Sequence, residues 1–262
     1  VVIGSSNKEA GLVVKKIYEP LKQEIVMTNI ESAELIKYAA NSFLALKISY
    51  INEIANLAEK IGADIDDISH AIGLDSRIGS KFLKAGIGYG GSCFPKDTRA
   101  LINIGKEYGS EVHLIEKTNH VNELQKYKLI TKIIEEKIDI KGKNVAVLGL
   151  TFKPNTDDTR ESPAHYNIDK LLEMGANIYA YDELLCDKII NNFNNNERIN
   201  FSNNLKEVID NCEIALLLTE SKTIISLKPK DFNNLEILLD GRNCYSNNDF
   251  KGLKVKYFSI GR

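Results

Sequence analysis

From Asn144 to Asp182 the chain reads NVAVLGLTFKPNTDDTRESPAHYNIDKLLEMGANIYAYD. Asn144–Leu148 is a strand-like apolar run, and a loop flanked by Pro154 and Pro163 follows it. A helix is predicted over Pro163–Met174 and a second strand over Asn177–Tyr181. Strand, helix, strand is a βαβ unit, whose strands lie parallel. The alternation continues with strands at Glu213–Leu218, Glu236–Leu239 and Val255–Ser259. Further helices are predicted at Leu205–Asp210 and near Leu184–Phe193 and Ser221–Ser226. Residues 141–262 thus read as a doubly wound parallel sheet domain. Within it Asn191–Asn204, with eight asparagines among fourteen residues, reads as a solvated loop of biased composition.

Upstream the pattern is helical, over residues 28–140. Thr28-Asn29-Ile30-Glu31 has the form of a capping box, and nothing breaks the helix it opens before Gly62. A helix that long points to a subunit interface, so a homodimer through residues 28–61 is expected. Asp64–Ile72 reads as a second, capped helix, a further one starts at Phe94 or Pro95, and more fill Val112–Ile138. Residues 1–27 read as a short strand, Val1–Ile3, and a helix, Lys8–Leu21. Val1–Gly4 resembles a strand already under way, so residues 1–27 are expected to be the remnant of a preceding domain. The fold class is therefore α/β: a central all-helical dimerisation domain followed by a Rossmann-like sheet domain.

Composition narrows the function. Among 262 residues, 34 Lys+Arg stand against 36 Asp+Glu, a net charge of −2. That balance argues against nucleic-acid binding through bulk positive charge. No apolar run approaches the ~20 residues that span a bilayer, so no membrane partner is expected. Cys93, Cys186, Cys212 and Cys244 are widely spaced, with no CxxC pair and no nearby histidine at zinc-ligand spacing. No metal is expected, and the sparse cysteines fit a cytoplasmic setting.

The segment richest in chemistry is Gly86–Asp97, GIGYGGSCFPKD. Cys93 follows a glycine-dense loop and opens a helix, where backbone N–H groups stabilise a thiolate nucleophile. Asp97, four residues on, shares its face and could hold a water. Lys37 and Asn41 are one turn apart on the long helix and could bind a developing oxyanion. The loop Gly149–Pro163 follows the first strand of the sheet, at the edge where such sheets bind ligands. It lacks G-x-G-x-x-G, but Lys153 and Arg160 can meet phosphate. Asp240-Gly241-Arg242-Asn243 ends another strand at the same edge, so Arg242 can reach the same anion.

Four segments, AELIKYAANSFLALKISYINE, DSRIGSKFLKAGIGYGGSCFPKD, GLTFKPNTDDTRESPA and DGRN, occur in this order. Together they resemble the UDP-glucose/GDP-mannose dehydrogenase family, the nucleotide-sugar 6-dehydrogenases, through nearly the whole chain. The resemblance implies an NAD cofactor, a UDP-glucose or related UDP-sugar substrate, and oxidation of the sugar C6 alcohol to a carboxylate. It implies that Cys93 forms a thiohemiacetal and then a thioester. Lys37 and Asn41 would steady the C6 oxyanion, and Asp97 would assist Lys37 and the water. Phe82, Leu83, Lys84, Tyr89 and Gly90 match the segment around the UDP-sugar. Phe152, Lys153 and Arg242 match sugar- and phosphate-binding positions, and Arg77 an arginine that reaches the neighbouring subunit's substrate. Lys96 and Arg160 match cofactor-side positions.

The family's glycine fingerprint and ribose-binding acid do not occur in these residues, so little or no dehydrogenase turnover is expected of them alone. GDP-mannose oxidation is the nearest rival, though FPKD and DSRIG lean toward UDP-glucose. UDP-N-acetylmannosamine dehydrogenases, which carry His where Ser92 stands, rank third. A non-catalytic nucleotide-sugar-binding or dimerisation module is the rival of another class. A cysteine hydrolase lacks a histidine in an evident pairing position.

Overall fold

The computed structural model describes residues 1–193 and 196–262. Strand β1 (Val2–Gly4) leads into helix α1 (Lys8–Tyr18), capped by the Asn7 side chain. The predicted helix to Leu21 tightens at Glu19–Leu21 into a 3₁₀ turn, where Pro20 lacks the N–H a helix needs. Strand β2 (Val26–Thr28) then pairs in parallel with β1, Gly4 opposite Thr28.

This pairing displaces the predicted cap. Thr28 belongs to β2, and Asn29 caps α2 (Ile30–Ile61), its side chain accepting from Ser32 N–H at 2.9 Å. Gly62, with φ 74°, ends α2 in the left-handed conformation that L-residues avoid. Four shorter helices complete the central part: α3 (Ile65–Gly73), α4 (Phe94–Glu107), α5 (His113–Gln125) and α6 (Lys128–Glu135). Helices α4 and α5 both pack against α2.

The C-terminal part begins with β3 (Asn144–Leu148), α7 (Pro163–Glu173) and β4 (Asn177–Tyr181). It continues through α8 (Asp187–Ile190), β5 (Ile199–Ser202), α9 (Leu205–Asp210) and β6 (Ile214–Leu217). It ends with α10 (Lys222–Ile225), β7 (Ile237–Asp240) and β8 (Lys256–Phe258). The six strands are parallel, in the order β5-β4-β3-β6-β7-β8. The order reverses between β3 and β6, the switch point at which doubly wound sheets take ligands.

Strand β5 corrects the reading of Asn191–Asn204 as loop throughout; Asn194 and Asn195 of that run lie outside the described residues. Composition hid a short alternating strand. Ile199 is buried and Phe201 half-buried, both packed on the main core, while the asparagines around them are polar.

The sheet divides two layers by its pleat. Val145, Val147, Ile214 and Leu216 face one core cluster; Ala146, Leu148, Ala215 and Leu217 face the other. The first cluster also holds Ile51, Ala55, Ile65, Leu83, Ile87 and Leu129 from the central helices. The helical part and the sheet therefore share one core. Among the described residues, no helix is long and apolar enough to cross a membrane.

Candidate active site

Helix α2 carries Lys37 and Asn41 on one face. Both converge on Asp97 Oδ2: Lys37 Nζ donates at 2.6 Å and Asn41 Nδ2 at 2.5 Å. Asp97 is fully buried in the first turn of α4, its N–H donating to Cys93 O at 2.9 Å. Burial works against the Asp97 carboxylate, but the Lys37 and Asn41 hydrogen bonds hold it below the usual range. The Asp97 hydrogen bond raises Lys37 in turn, keeping it cationic. Cys93 itself caps α4, exposed, with Pro95 in the first helical turn. The sequence-predicted quartet of Cys93, Asp97, Lys37 and Asn41 is thus brought together. Among groups of His, Cys, Asp and Glu, none of the described residues form a metal-holding cluster.

The glycine loop before Cys93 is held by side-chain amides. Gly86 N–H donates to Asn52 Oδ1 at 2.9 Å, and Gln125 Nε2 donates to Gly86 O at 2.7 Å. Asn122 bonds both backbone groups of Tyr89, at 2.8 and 3.0 Å. Gly91 N–H reaches Arg160 O at 2.8 Å, tying the loop to the segment after β3. Two glycines are needed for that approach. A Cβ on Gly90 would lie 2.2 Å from Glu161 O, and one on Gly91 2.6 Å from the Phe152 ring. Gly90→Ala should therefore overpack the loop at a cost of about 1–3 kcal/mol. Calorimetric melting would show this as a Tm lower by ~2–10 °C.

Beside this loop is a cavity of about 350 Å³, lined by Phe82, Lys84, Tyr89, Gly90, Phe152, Lys153 and Arg242, and also by Ile48, Asn52, Phe94 and Glu220. That size suits a ligand of nucleotide dimensions. Arg242 is fixed by its Nε donating to Leu218 O at 2.7 Å, with Glu220 3.3 Å from the same nitrogen. Its Nη2 is buried and without a hydrogen-bond partner. The Lys153 ammonium sits 5.3 Å over the Phe152 ring, an attraction of cation to π-face.

The other predicted residues fall outside this cavity. Leu83 is 3% exposed and part of the shared core, so its side chain packs rather than lining the site. Arg77 is exposed on a loop after α3 and paired with Asp75. Its loop is anchored by Lys47 Nζ, which donates to Ile78 O at 2.9 Å. Lys96 is exposed with its ammonium 3.5 Å from Asp97 Oδ1, and Arg160 is paired with Asp158 at 2.7 Å. Ile48, Asn52, Phe94, Asn122, Gln125 and Glu220 were not singled out as site residues from the sequence. A weak signal existed for Asn52, which lies 11 residues, three helical turns, beyond Asn41 on the α2 face that carries Lys37.

A profile of the UDP-glucose/GDP-mannose dehydrogenase family, central domain, matches residues 31–124. One of the same family's UDP binding domain matches residues 146–247. The chain is 41% identical over 264 residues to the UDP-glucose 6-dehydrogenase TuaD of Bacillus subtilis (strain 168), covering all of this chain and 57% of that protein. It is 41% identical over 277 residues to a UDP-glucose 6-dehydrogenase of Rhizobium meliloti (strain 1021), covering all of this chain and 61% of that one. A solved UDP-glucose dehydrogenase from Pyrobaculum islandicum superposes with TM-score 0.87 at 33% identity, over 98% of this chain and 57% of its own. The chain thus spans about three-fifths of the length of the curated relatives it matches.

Proposed function

The chain belongs to the UDP-glucose/GDP-mannose dehydrogenase family, and from that premise we propose that it carries the nucleotide-sugar half of a UDP-glucose 6-dehydrogenase. The reaction is oxidation of the glucose C6 alcohol to the carboxylate of UDP-glucuronate. The observation that supports it best is the convergence of Lys37 and Asn41 on buried Asp97, one turn beyond Cys93.

NAD⁺ is the proposed oxidant and supplies two hydride acceptances. The described residues do not assemble its usual cradle. After β1 the chain runs Gly4-Ser5-Ser6-Asn7 with no G-x-G-x-x-G. At the switch point of the sheet, the Leu150 and Thr151 N–H groups are spent on Asp182 Oδ2, at 2.8 and 3.2 Å. The steps these residues can perform lie on the sugar side. The Cys93 sulfur adds to the C6 aldehyde, its proton passing to solvent or a base, and a thiohemiacetal forms. Lys37 and Asn41, both N–H donors, stabilise the oxyanion that develops there. Once the thiohemiacetal has lost its hydride, water cleaves the resulting thioester, giving the carboxylate and restoring the thiol. Asp97 keeps Lys37 charged and fixed for both additions.

Binding is tested by calorimetry on this chain. UDP-glucose should bind, and Arg242→Ala should weaken it ~10–100-fold, the worth of one charged hydrogen bond. Tighter binding of GDP-mannose than of UDP-glucose would sink the substrate assignment.

We also propose a homodimer through α2, whose Leu35, Ile36, Phe43, Tyr50 and Leu57 are exposed. Phe43→Glu should convert a dimer to monomer in sedimentation; a wild-type monomer at micromolar concentration refutes the interface.

A further inference from the structure

Lys47 has a place in the site that the resemblance did not assign. It lies on α2 next to Ile48, which lines the cavity. Its Nζ donates to two successive backbone carbonyls of one turn, Ile78 O at 2.9 Å and Gly79 O at 3.2 Å. The N–H groups of the same two residues both donate to Asp75 O, at 2.9 and 2.8 Å, and close the turn from the other side. A lysine ammonium on successive carbonyls acts as it does at a helix C-terminus, taking up acceptors the backbone leaves unpaired. Two charge-assisted bonds from one side chain therefore fix residues 78–79 against α2.

The chain after the turn needs that anchor. Residues 80–85 belong to no helix or strand. Within them Phe82 has φ 64°, a left-handed conformation that a bulky residue keeps only where its surroundings impose it. The backbone is held on both sides of Phe82, by Lys47 before it and by Leu83, part of the shared core, after it. The Phe82 ring lines the cavity and meets Phe94 edge-on, ring centres 6.1 Å apart. Phe94 meets Tyr89 in the same manner at 5.6 Å. Phe94 directly follows Cys93, so these three rings form the cavity wall that adjoins the nucleophile. A ligand reaching from the cavity to Cys93 passes that wall, and a pyranose can lay its apolar C–H face on it.

We propose that Lys47 is a positioning residue for the sugar: it holds Phe82 against Phe94, and the ring so placed guides the glucose, not the nucleotide, toward Cys93. This rests on the UDP-sugar reading above. Lys47 is not among the residues that line the cavity, and it acts through Phe82.

UDP-glucose and UDP, which lacks the sugar, would be titrated calorimetrically into the wild type, Lys47→Met, Phe82→Ala and the double variant. Lys47→Met keeps most of the apolar stem and removes the donors; it should weaken UDP-glucose ~5-fold or more and leave UDP within ~2-fold. Phe82→Ala should show the same pattern. Adding Lys47→Met to it should weaken UDP-glucose by less than ~2-fold further, because the ring that Lys47 positions is gone. Lys47→Arg, which still donates to both carbonyls, should bring affinity back to within ~2-fold of the wild type. With each protein saturated by UDP-glucose, Cys93 should react with iodoacetamide ~3-fold faster or more in Lys47→Met, since the loosened wall opens. Lys47→Gln takes the place of Lys47→Met if the methionine variant does not fold or sediments differently from the wild type. Equal weakening of UDP and UDP-glucose, no change in either, or additive losses in the double variant would overturn the proposal. A lysine that only stabilises the fold gives one of those outcomes, and the UDP-sugar reading then still stands. If the wild type binds neither UDP nor UDP-glucose, the UDP-sugar reading fails first, and the role of Lys47 falls with it.

Discussion

Cys93→Ser, in an enzyme that joins these residues to a dinucleotide-binding unit, should lower turnover to the carboxylate by at least ~10³-fold while UDP-glucose still binds. A covalent nucleophile that forms the intermediate contributes on that scale, and serine adds to an aldehyde without giving a hydrolysable thioester. The thiol is exposed at the start of α4, beside the Lys37–Asp97–Asn41 group and outside the residues that line the cavity. The chemistry and the nucleotide grip are therefore separable. The discriminating measurement pairs a calorimetric Kd with the rate of NADH formation. A kcat within tenfold of the wild type would exclude Cys93 as the nucleophile. On the chain alone, UDP-glucose should slow alkylation of Cys93 by iodoacetamide, since the sugar end of the ligand must approach the sulfur.

The second large effect is on stability. Lys126→Met should destabilise the fold by about 3–5 kcal/mol, the cost of breaking a buried ion pair from one side. The Lys126 side chain is fully buried, and its Nζ donates to Glu123 at 2.8 Å and to Glu161 and the Tyr166 hydroxyl, each at 3.0 Å. Burial would lower Lys126, but these partners together raise it above the ordinary lysine value. Glu161 is also held by Arg99 at 2.8 Å. Burial opposes its charge, yet Arg99 and Lys126 pull it down to about 2. The sign follows from linkage: a carboxylate depressed in the folded state stabilises the protein above its unfolded value near 4.5. That stability is lost as pH falls from there toward about 2. Glu161 belongs to the segment whose backbone presses on Gly90, so the cluster fastens the glycine loop to the sheet. Chemical denaturation at pH 7 and pH 3 should show the wild type losing stability in acid and Lys126→Met losing less. Equal losses in the two proteins would mean that Glu161 does not depend on Lys126.

Parts of the site were legible because their signals are local. Cys93 and Asp97, like Lys37 and Asn41, are each four residues apart on one helix, and that spacing alone places them on a common face. That Asp97 acts with Lys37 was implied only by the resemblance, and the Asn41 bond to the same carboxylate was not expected, since those pairs are 60 and 56 residues apart. Of the amides behind the glycine loop, Asn122 and Gln125 gave no signal and Asn52 only its place on the α2 face of Lys37 and Asn41. Asn52 meets Gly86 across 34 residues and Gln125 meets it across 39, and an asparagine or glutamine in a helix is otherwise unremarkable. Leu83 shows the converse error: its neighbours Phe82 and Lys84 line the cavity, but its own side chain turns into the core.

The C-terminal sheet was readable from alternation, because buried parallel strands are short apolar runs and helices separate them. Strand β5 escaped, since its asparagine-rich surroundings mask a short apolar alternation that pays off only beside β4. Strand β2 escaped for a similar reason: three residues form a strand there because β1 offers a partner. Sequence patterns thus established the helix-then-sheet order and the shared helix face of Cys93 and Asp97, since these depend on neighbours within a few residues. Tertiary structure alone decided that helices and sheet share a core, that Asp97 gathers Lys37 and Asn41, and that Asn52 and Gln125 hold the two backbone groups of Gly86. Those features arise from contacts between distant segments, whose geometry no local periodicity encodes.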